Sequence, residues 1–349
     1  MRETATAVLW RGGAEFQSVQ VPLPQPGPGE TLVRLTAATV CGSDRHTVSG
    51  RRSSACPSVL GHEGVGVVLS TRGGHTVQGL PLHEGDRVVF GVTSSCGQCA
   101  PCLRGLTAKC TTVQKAGHEP FEGEWPLSGT YSSHILLRSG QAVAQAPAVL
   151  QDGVAATAGC AVATVMAVLE RAGELRGRRV LVNGVGMLGL VAVAAALDRG
   201  ASEVMAVDPN ADRRRLAEGL GAATRPPGPG SEPGSRGTVD VSLELSGARA
   251  GIQTCIEALG IGGTAVLAGS VAPVDAVEVD PEWMVRGWRT ITGVHNYEPR
   301  HLQKAVDFLG TAGRALPWDH ILDGPIAADQ LAAEFRRTDV QRLRTVVAL

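Results

Sequence analysis

The chain has 349 residues, long for a single hydrophobic core, which predicts two domains. Its 43% hydrophobic and 3% aromatic content fits a folded, soluble protein with a core of Val, Leu, Ile and Ala. A net charge of -1 gives no basic surface for a polyanion, so no nucleic-acid partner is expected.

The first ten residues carry no basic region followed by a long apolar run. No secretory signal is therefore read, and the expected location is cytoplasmic. Short apolar or alternating runs at 31–37, 64–69 and 86–90 are separated by Gly/Pro clusters such as 22–29. They predict a mostly β domain. The pattern changes after about Gln151. Alanine-rich helical stretches at 154–172 and 188–199 alternate with short buried strands at 179–183, 203–207, 239–245 and 264–268. That alternation predicts a parallel sheet with helices on both faces. A further strand is expected at 290–294, helices at 301–309 and 329–336, and a last strand at 345–349. The Pro/Gly-rich run 225–237 reads as a surface loop. Residues 180–197 are nearly all apolar, but Asn183 and three close glycines divide them into strand, turn and helix. Each piece is too short to span a bilayer, so no membrane is expected.

Eight cysteines in a chain without an export signal favour metal ligation or catalysis over disulfides. Cys96, Cys99, Cys102 and Cys110 form C-x2-C-x2-C-x7-C. Four thiolates close a tetrahedral shell around Zn2+ and leave no open position, so the site is read as structural. An iron–sulfur cluster and a nucleic-acid-binding finger are the other readings; the loop has only Arg104 and Lys109 as basic residues. Other candidates are dispersed. Cys41-Gly42-Ser43-Asp44-Arg45-His46 follows a predicted strand, Gly61-His62-Glu63-Gly64 precedes another, and Cys160 sits in an apolar run. Alone, each reads equally as a small buried hydrophobe or a satisfied polar group.

Gly184-Val185-Gly186-Met187-Leu188-Gly189 follows a strand and opens an apolar helix. Such a turn aims backbone N–H groups and a helix N-terminus at a pyrophosphate. Asp208 ends the next strand, where an acid accepts the ribose hydroxyls of NAD and repels the 2′-phosphate of NADP. Ser246 and Gly269 end later strands, where such sheets line their cofactor crevice.

Taken in this order, C-x-S-D-x-H, G-H-E, the four-cysteine run, Gly-Cys and G-x-G-x-x-G, the chain resembles the zinc-containing medium-chain alcohol dehydrogenases over almost its whole length. The resemblance implies a GroES-like β domain at 1–155 and 296–349 and a Rossmann domain at 156–295. It implies a catalytic zinc on Cys41, His62 and Cys160, a structural zinc on the knuckle, Glu63 behind the metal and Asp44 bonded to His62. Ser43 and His46 match the proton relay. Arg213 matches a basic residue near the adenosine ribose, and Thr164, Val294 and His295 match residues near the nicotinamide. The implied activity is hydride transfer between a small, polar alcohol and NAD, by a homodimer or homotetramer. Around Gly117-His118-Glu119 and 159–167 the chain also resembles a subgroup associated with phosphonate metabolism, which makes Lys115 or His118 a candidate contact for a polar or anionic substrate. A zinc-free reductase and an NAD(H)-sensing protein without turnover are the alternatives.

Overall fold

The computed structural model describes residues 3–228, 237–338 and 342–349. The chain divides into two compact units. One holds Met1–Ala163, Asn296–Gly310 and Trp318–Leu349; the other holds Thr164–His295 and Thr311–Pro317.

The first unit is built on an eight-stranded sheet. Its central path runs Leu322–Ala327, Arg344–Ala348, Thr31–Val40, Gly64–Thr71, Arg87–Ser94 and Gln114–Lys115. Alternation in these strands buries one face. Leu35, Val68, Val88, Phe90, Ile135 and Trp125 pack there, and Phe90 and Trp125 are almost wholly buried. Register sets the chemistry. Val40 pairs with Thr345, and Ala38 pairs with Gly64. Cys41, Glu63 and Arg344 thereby end up at one end of three adjacent strands, although they are far apart in sequence.

The second unit is a six-stranded, all-parallel sheet. Its order is Ala223–Arg225, Glu203–Val207, Arg179–Asn183, Val239–Glu244, Leu259–Leu267, Thr290–Gly293. The expected α/β class and parallel sheet are found. Helix Met187–Asp198 follows the strand Arg179–Asn183, and its apolar residues are buried nearly all round. An apolar helix with no polar face belongs inside a sheet-covering layer.

Three expectations change. The helix expected at 154–172 is broken into Asp152–Ala156, a 3-10 turn Thr157–Gly159, and Ala161–Ala172. The break falls at Cys160 (φ -136°, ψ -72°). Tertiary contacts outweigh helix propensity there: Tyr297 Oη donates to the Gly159 carbonyl, and a Cβ on Gly159 would lie 2.5 Å from the Phe90 carbonyl oxygen. The run expected as loop from 225 opens with Arg225 closing a short edge strand beside Val207; residues 229–236 lie outside the described residues. The strand expected at 264–268 starts earlier, at Leu259. Among the described residues no single helix is long and apolar enough to cross a membrane.

Candidate active site

Cys41 lies where the strand Thr31–Val40 gives way to the helix Gly42–Val48. Its N–H donates to Asp44 Oδ2 at 2.9 Å, which fixes the start of that helix. His62 follows Gly61, whose φ of +89° is in the left-handed region. A Cβ on Gly61 would come within 2.8 Å of the Tyr131 ring, so only glycine lets the chain turn here. The sulfurs of Cys41 and Cys160 and a ring nitrogen of His62 all lie within 4.8 Å of one another.

Asp44 is buried beside this trio. Its Oδ1 lies 3.2 Å from His62 Nδ1, and its Oδ2 also accepts from Tyr131 Oη at 2.9 Å. Ser43 Oγ lies 3.2 Å from His62 Nε2. The two ring nitrogens therefore face different partners, a carboxylate on one side and a hydroxyl on the other. His46 is half-buried, one helical turn from Ser43 and on the same helix face.

Glu63 is fully buried, with four donors. Oε2 accepts from Thr39 Oγ1 at 2.5 Å and Arg344 Nε at 2.8 Å. Oε1 accepts from Arg344 Nη2 and the Ala161 N–H, each at 3.2 Å. Arg344 Nη2 also lies 3.4 Å from Cys41 Sγ. Burial raises the Glu63 carboxyl, and Arg344 opposes it. Burial works against the Arg344 charge, but Cys41 and Glu63 outweigh it and raise the guanidinium further. The hydrogen bond from Cys160 holds the Cys41 thiol well below its ordinary value; the same contact, with burial, pushes Cys160 well up. Burial alone would lower His62, yet Asp44 and Cys41 raise it well above the usual imidazole value. This buried place favours added positive charge, and its sulfur and nitrogen donors are those Zn2+ takes.

Arg344 and Tyr131 were not singled out from the sequence. The only signal for Arg344 is a charged residue opening an apolar strand. The His118 ring lies 5.5 Å from the His62 ring, and its Nδ1 is 3.4 Å from Ser54 Oγ. Burial, with the charges of His62, Arg52 and Lys115, pushes His118 down to about 2, so it is neutral. Lys115 lies opposite Thr93 in the sheet; burial and Arg52 lower its ammonium, and Glu119 opposes them.

The four knuckle sulfurs also lie within 4.8 Å of one another. The Cys99–Cys102 and Cys96–Cys110 pairs are 3.4 and 3.5 Å apart, unbridged. The backbone N–H groups of Thr111 and Cys102 bring Cys99 down to about 6. Glu298 fixes the turn before Cys110, accepting from Thr107 N–H at 3.0 Å, Thr107 Oγ1 at 2.6 Å and Ala108 N–H at 3.4 Å.

In the parallel unit, Gly184 has φ +93°, and a Cβ there would lie 2.6 Å from the Ser246 nitrogen. A Cβ on Gly189 would lie 2.0 Å from the Gly184 carbonyl oxygen, whereas a Cβ on Gly186 would meet nothing within 4 Å. The outer glycines serve close packing, and the middle one leaves room for a ligand. Gly184, Gly186, Asp208, Arg213, Ser246 and Thr254 line a cavity of about 670 Å³. Met187 and Leu188 open the adjoining helix. Asp208 Oδ2 accepts the Val185 N–H at 2.7 Å, Oδ1 accepts the Asn210 N–H at 2.8 Å, and Arg213 Nη1 lies 4.0 Å from Oδ2. Glu244, which the sequence did not suggest, is buried and accepts from Ser246 Oγ at 2.6 Å and Gly247 N–H at 2.8 Å. Thr164, Gly269, Val294 and His295 are not among the residues lining this cavity. Thr164 is half-buried on Ala161–Ala172, and the Val294 N–H donates to the Leu267 carbonyl at 2.9 Å.

A Cys/His/Cys trio, buried at Cys41 and His62 and half-buried at Cys160, a four-cysteine knuckle and a glycine turn on a parallel sheet are the features of a metal- and dinucleotide-binding oxidoreductase. Comparison with known proteins narrows the class. Residues 27–148 match the alcohol dehydrogenase GroES-like domain, and 187–311 match the zinc-binding dehydrogenase family. An alcohol dehydrogenase of Moraxella sp. (strain TAE123) is 31% identical over 255 residues, covering 72% of this chain and 70% of that protein. L-idonate 5-dehydrogenase (NAD(P)(+)) of Escherichia coli (strain K12) is 30% identical over 247 residues, covering 68% and 69%. A dehydrogenase structure from Sinorhizobium meliloti 1021, bound to NADP, superposes with a TM-score of 0.87 at 25% identity and covers 100% of both chains. The chain belongs to the zinc-containing medium-chain alcohol dehydrogenase family. It is a zinc-dependent alcohol dehydrogenase acting on a small-molecule alcohol, with NAD(P) as its cofactor class.

Proposed function

We propose that this enzyme interconverts a polar alcohol and its carbonyl with NAD, using Ser43 and His46 as the proton path. The carrying observation is Ser43 Oγ at 3.2 Å from His62 Nε2, because it puts a hydroxyl beside a candidate metal donor. Cys41, His62 and Cys160 would hold the catalytic zinc, and Cys96, Cys99, Cys102 and Cys110 the structural one. The catalytic ion supplies Lewis-acid polarisation of the substrate oxygen. Asp44 Oδ1, 3.2 Å from His62 Nδ1, would favour the proton on that nitrogen and so leave Nε2 as the metal donor. Ser43 Oγ accepts the alcohol proton and His46 receives it toward solvent; in the reverse direction the same pair returns it. Glu63 and Arg344 hold the buried charge balance behind Cys41.

The Gly184–Gly189 turn and the N-terminus of the helix Met187–Asp198 would bind the pyrophosphate. Asp208 supports NAD over NADP, since its carboxylate would repel a 2′-phosphate and already holds Arg213 nearby. Thr164, Ser246, Gly269, Val294 and His295 are the further proposed cofactor contacts. Neutral His118, whose ring lies 5.5 Å from that of His62, and the charges of Lys115 and Arg52 that act on it support a substrate with a second polar or anionic group. In the second unit, the edge strand Thr290–Gly293, with Ile261, Val285 and Trp288 at 83%, 73% and 86% exposure, supports a homodimer or homotetramer. Eight free cysteines support a cytoplasmic location.

The test is an alcohol and aldehyde panel followed by NADH absorbance, with metal analysis. Turnover with two zincs per chain and a Ser43→Ala loss of kcat is expected, as is a higher kcat/KM with NAD than with NADP. Absence of metal, or full turnover by Ser43→Ala, overturns the proton path; a preference for NADP overturns the Asp208 reading. Lys115→Ala should raise KM for carboxylate- or phosphonate-bearing alcohols and not for neutral ones.

A further inference from the structure

Glu334 is a buried carboxylate, 3% exposed, that the chemistry above does not use. It lies on the short helix Leu331–Arg336. Its Oε1 accepts from the Arg45 guanidinium and from Thr345 Oγ1 at 2.6 Å, and its Oε2 accepts from Arg337 Nη1 at 3.0 Å. Its backbone carbonyl takes a second bond from Arg45, through Nη1 at 3.3 Å. Arg45 also lies over the neighbouring Phe335 ring, 5.8 Å from its centroid. One glutamate therefore grips both terminal nitrogens of one arginine.

The partners of Glu334 belong to the two arms of the candidate active site. Arg45 sits on the helix Gly42–Val48, between Asp44 and His46 and two residues after Ser43. Seven residues are too few for a helix to hold itself, so its orientation is set by the side chains that anchor it. Asp44 anchors its first turn to Cys41 and Tyr131. Arg45 anchors it to Glu334. Thr345 pairs with Val40 in the strand that delivers Cys41, and the adjacent Arg344 grips Glu63 and approaches Cys41 Sγ. The remaining branch, from Arg337 to Asp323 Oδ2 at 3.0 Å, leads to solvent.

We propose that Glu334 is a positioning residue. Through Arg45 and Thr345 it registers the helix carrying Ser43 and His46 against the strand carrying Arg344. It touches no reacting atom, and its effect is on the proton path. The inference rests on the assignment of Ser43 and His46 to that path.

The geometry separates this role from simple stapling of the fold. Arg45→Met removes both bonds to Glu334 together with the guanidinium over Phe335, while Glu334 keeps Thr345 and Arg337. Glu334→Gln keeps an acceptor for Thr345 and loses the charge that holds Arg45. Asp323→Asn keeps one acceptor oxygen, removes the charge of the outer branch alone and serves as control. The full-length, zinc-loaded enzyme is compared for zinc content, thermal midpoint, kcat, KM and solvent deuterium isotope effect on kcat.

Arg45→Met and Glu334→Gln are expected to keep both zincs, to lose about tenfold or more in kcat with KM within about twofold, and to show a larger solvent isotope effect. Asp323→Asn is expected to match the parent. Should Glu334→Gln fail to fold, Arg45→Met decides alone. Unchanged kcat and isotope effect in folded, zinc-loaded Arg45→Met overturns the proposal, as does an equal loss in Asp323→Asn. Ser43→Ala separates the layers: if it loses kcat while Arg45→Met does not, only the role of Glu334 fails, and if Ser43→Ala is fully active, the proton path itself fails.

Discussion

Arg344 shows how much one side chain carries here. Its guanidinium pairs with both oxygens of the Glu63 carboxylate, and it also lies beside Cys41. Removing one partner of a buried pair leaves the other charged and unsolvated, which costs ~3–5 kcal/mol. Arg344→Met should therefore lower the urea midpoint clearly, and the loss should exceed that of Glu63→Gln, which keeps hydrogen bonds to Thr39 and Arg344 and removes the charge. Equilibrium denaturation of both variants checks the order. Asp44 acts on a different property. Its Oδ1 faces His62 Nδ1, so Asp44→Asn should weaken zinc at the trio about 10–100-fold, as loss of such a partner does elsewhere. Zinc release to a colorimetric chelator measures it, and the knuckle zinc serves as the internal reference.

Two elements illustrate why local pattern and final structure part company. The run 154–172 has helical composition throughout, yet it breaks at Cys160, because Gly159 is pinned against Phe90 and Tyr297 and the Ala161 N–H is taken by Glu63. Periodicity reports helix propensity; it does not report a contact from another strand. The knuckle behaves in the opposite way. All four sulfurs come from fifteen consecutive residues, so spacing alone brought out the cluster, but not the carboxylate of Glu298 that fixes the turn before Cys110. Glu298→Ala should leave turnover chemistry intact and loosen the lobe. The expected readout is faster loss of the knuckle zinc and faster proteolysis between Cys96 and Cys110. Cys110→Ser should lower the zinc content by one per chain and destabilise the fold, since metal binding at such a lobe is folding free energy.

At the scale of the whole molecule, the exposed edge of the parallel sheet supplies a prediction about assembly. Trp288 is 86% exposed at φ +50°, beside Val285 and near the last strand. Trp288→Glu with Val285→Lys should shift the mass seen by light scattering toward the monomer, and an unchanged mass would place the interface elsewhere. The sequence by itself determined the two-part α/β architecture, the four-cysteine cluster and the glycine turn, because each is written in neighbouring residues or in a short period. The Cys41, His62 and Cys160 set was readable only as an ordered series through family resemblance, since no spacing rule joins residues so far apart. Tertiary structure alone decided what surrounds them. Arg344 meets Cys41 across 303 positions and Glu63 across 281, and Tyr131 meets Asp44 across 87. The meetings of Arg344 are set by sheet register, in which Val40 lies against Thr345 and Ala38 against Gly64. Register is a property of how strands pack and pair, and no single strand carries it.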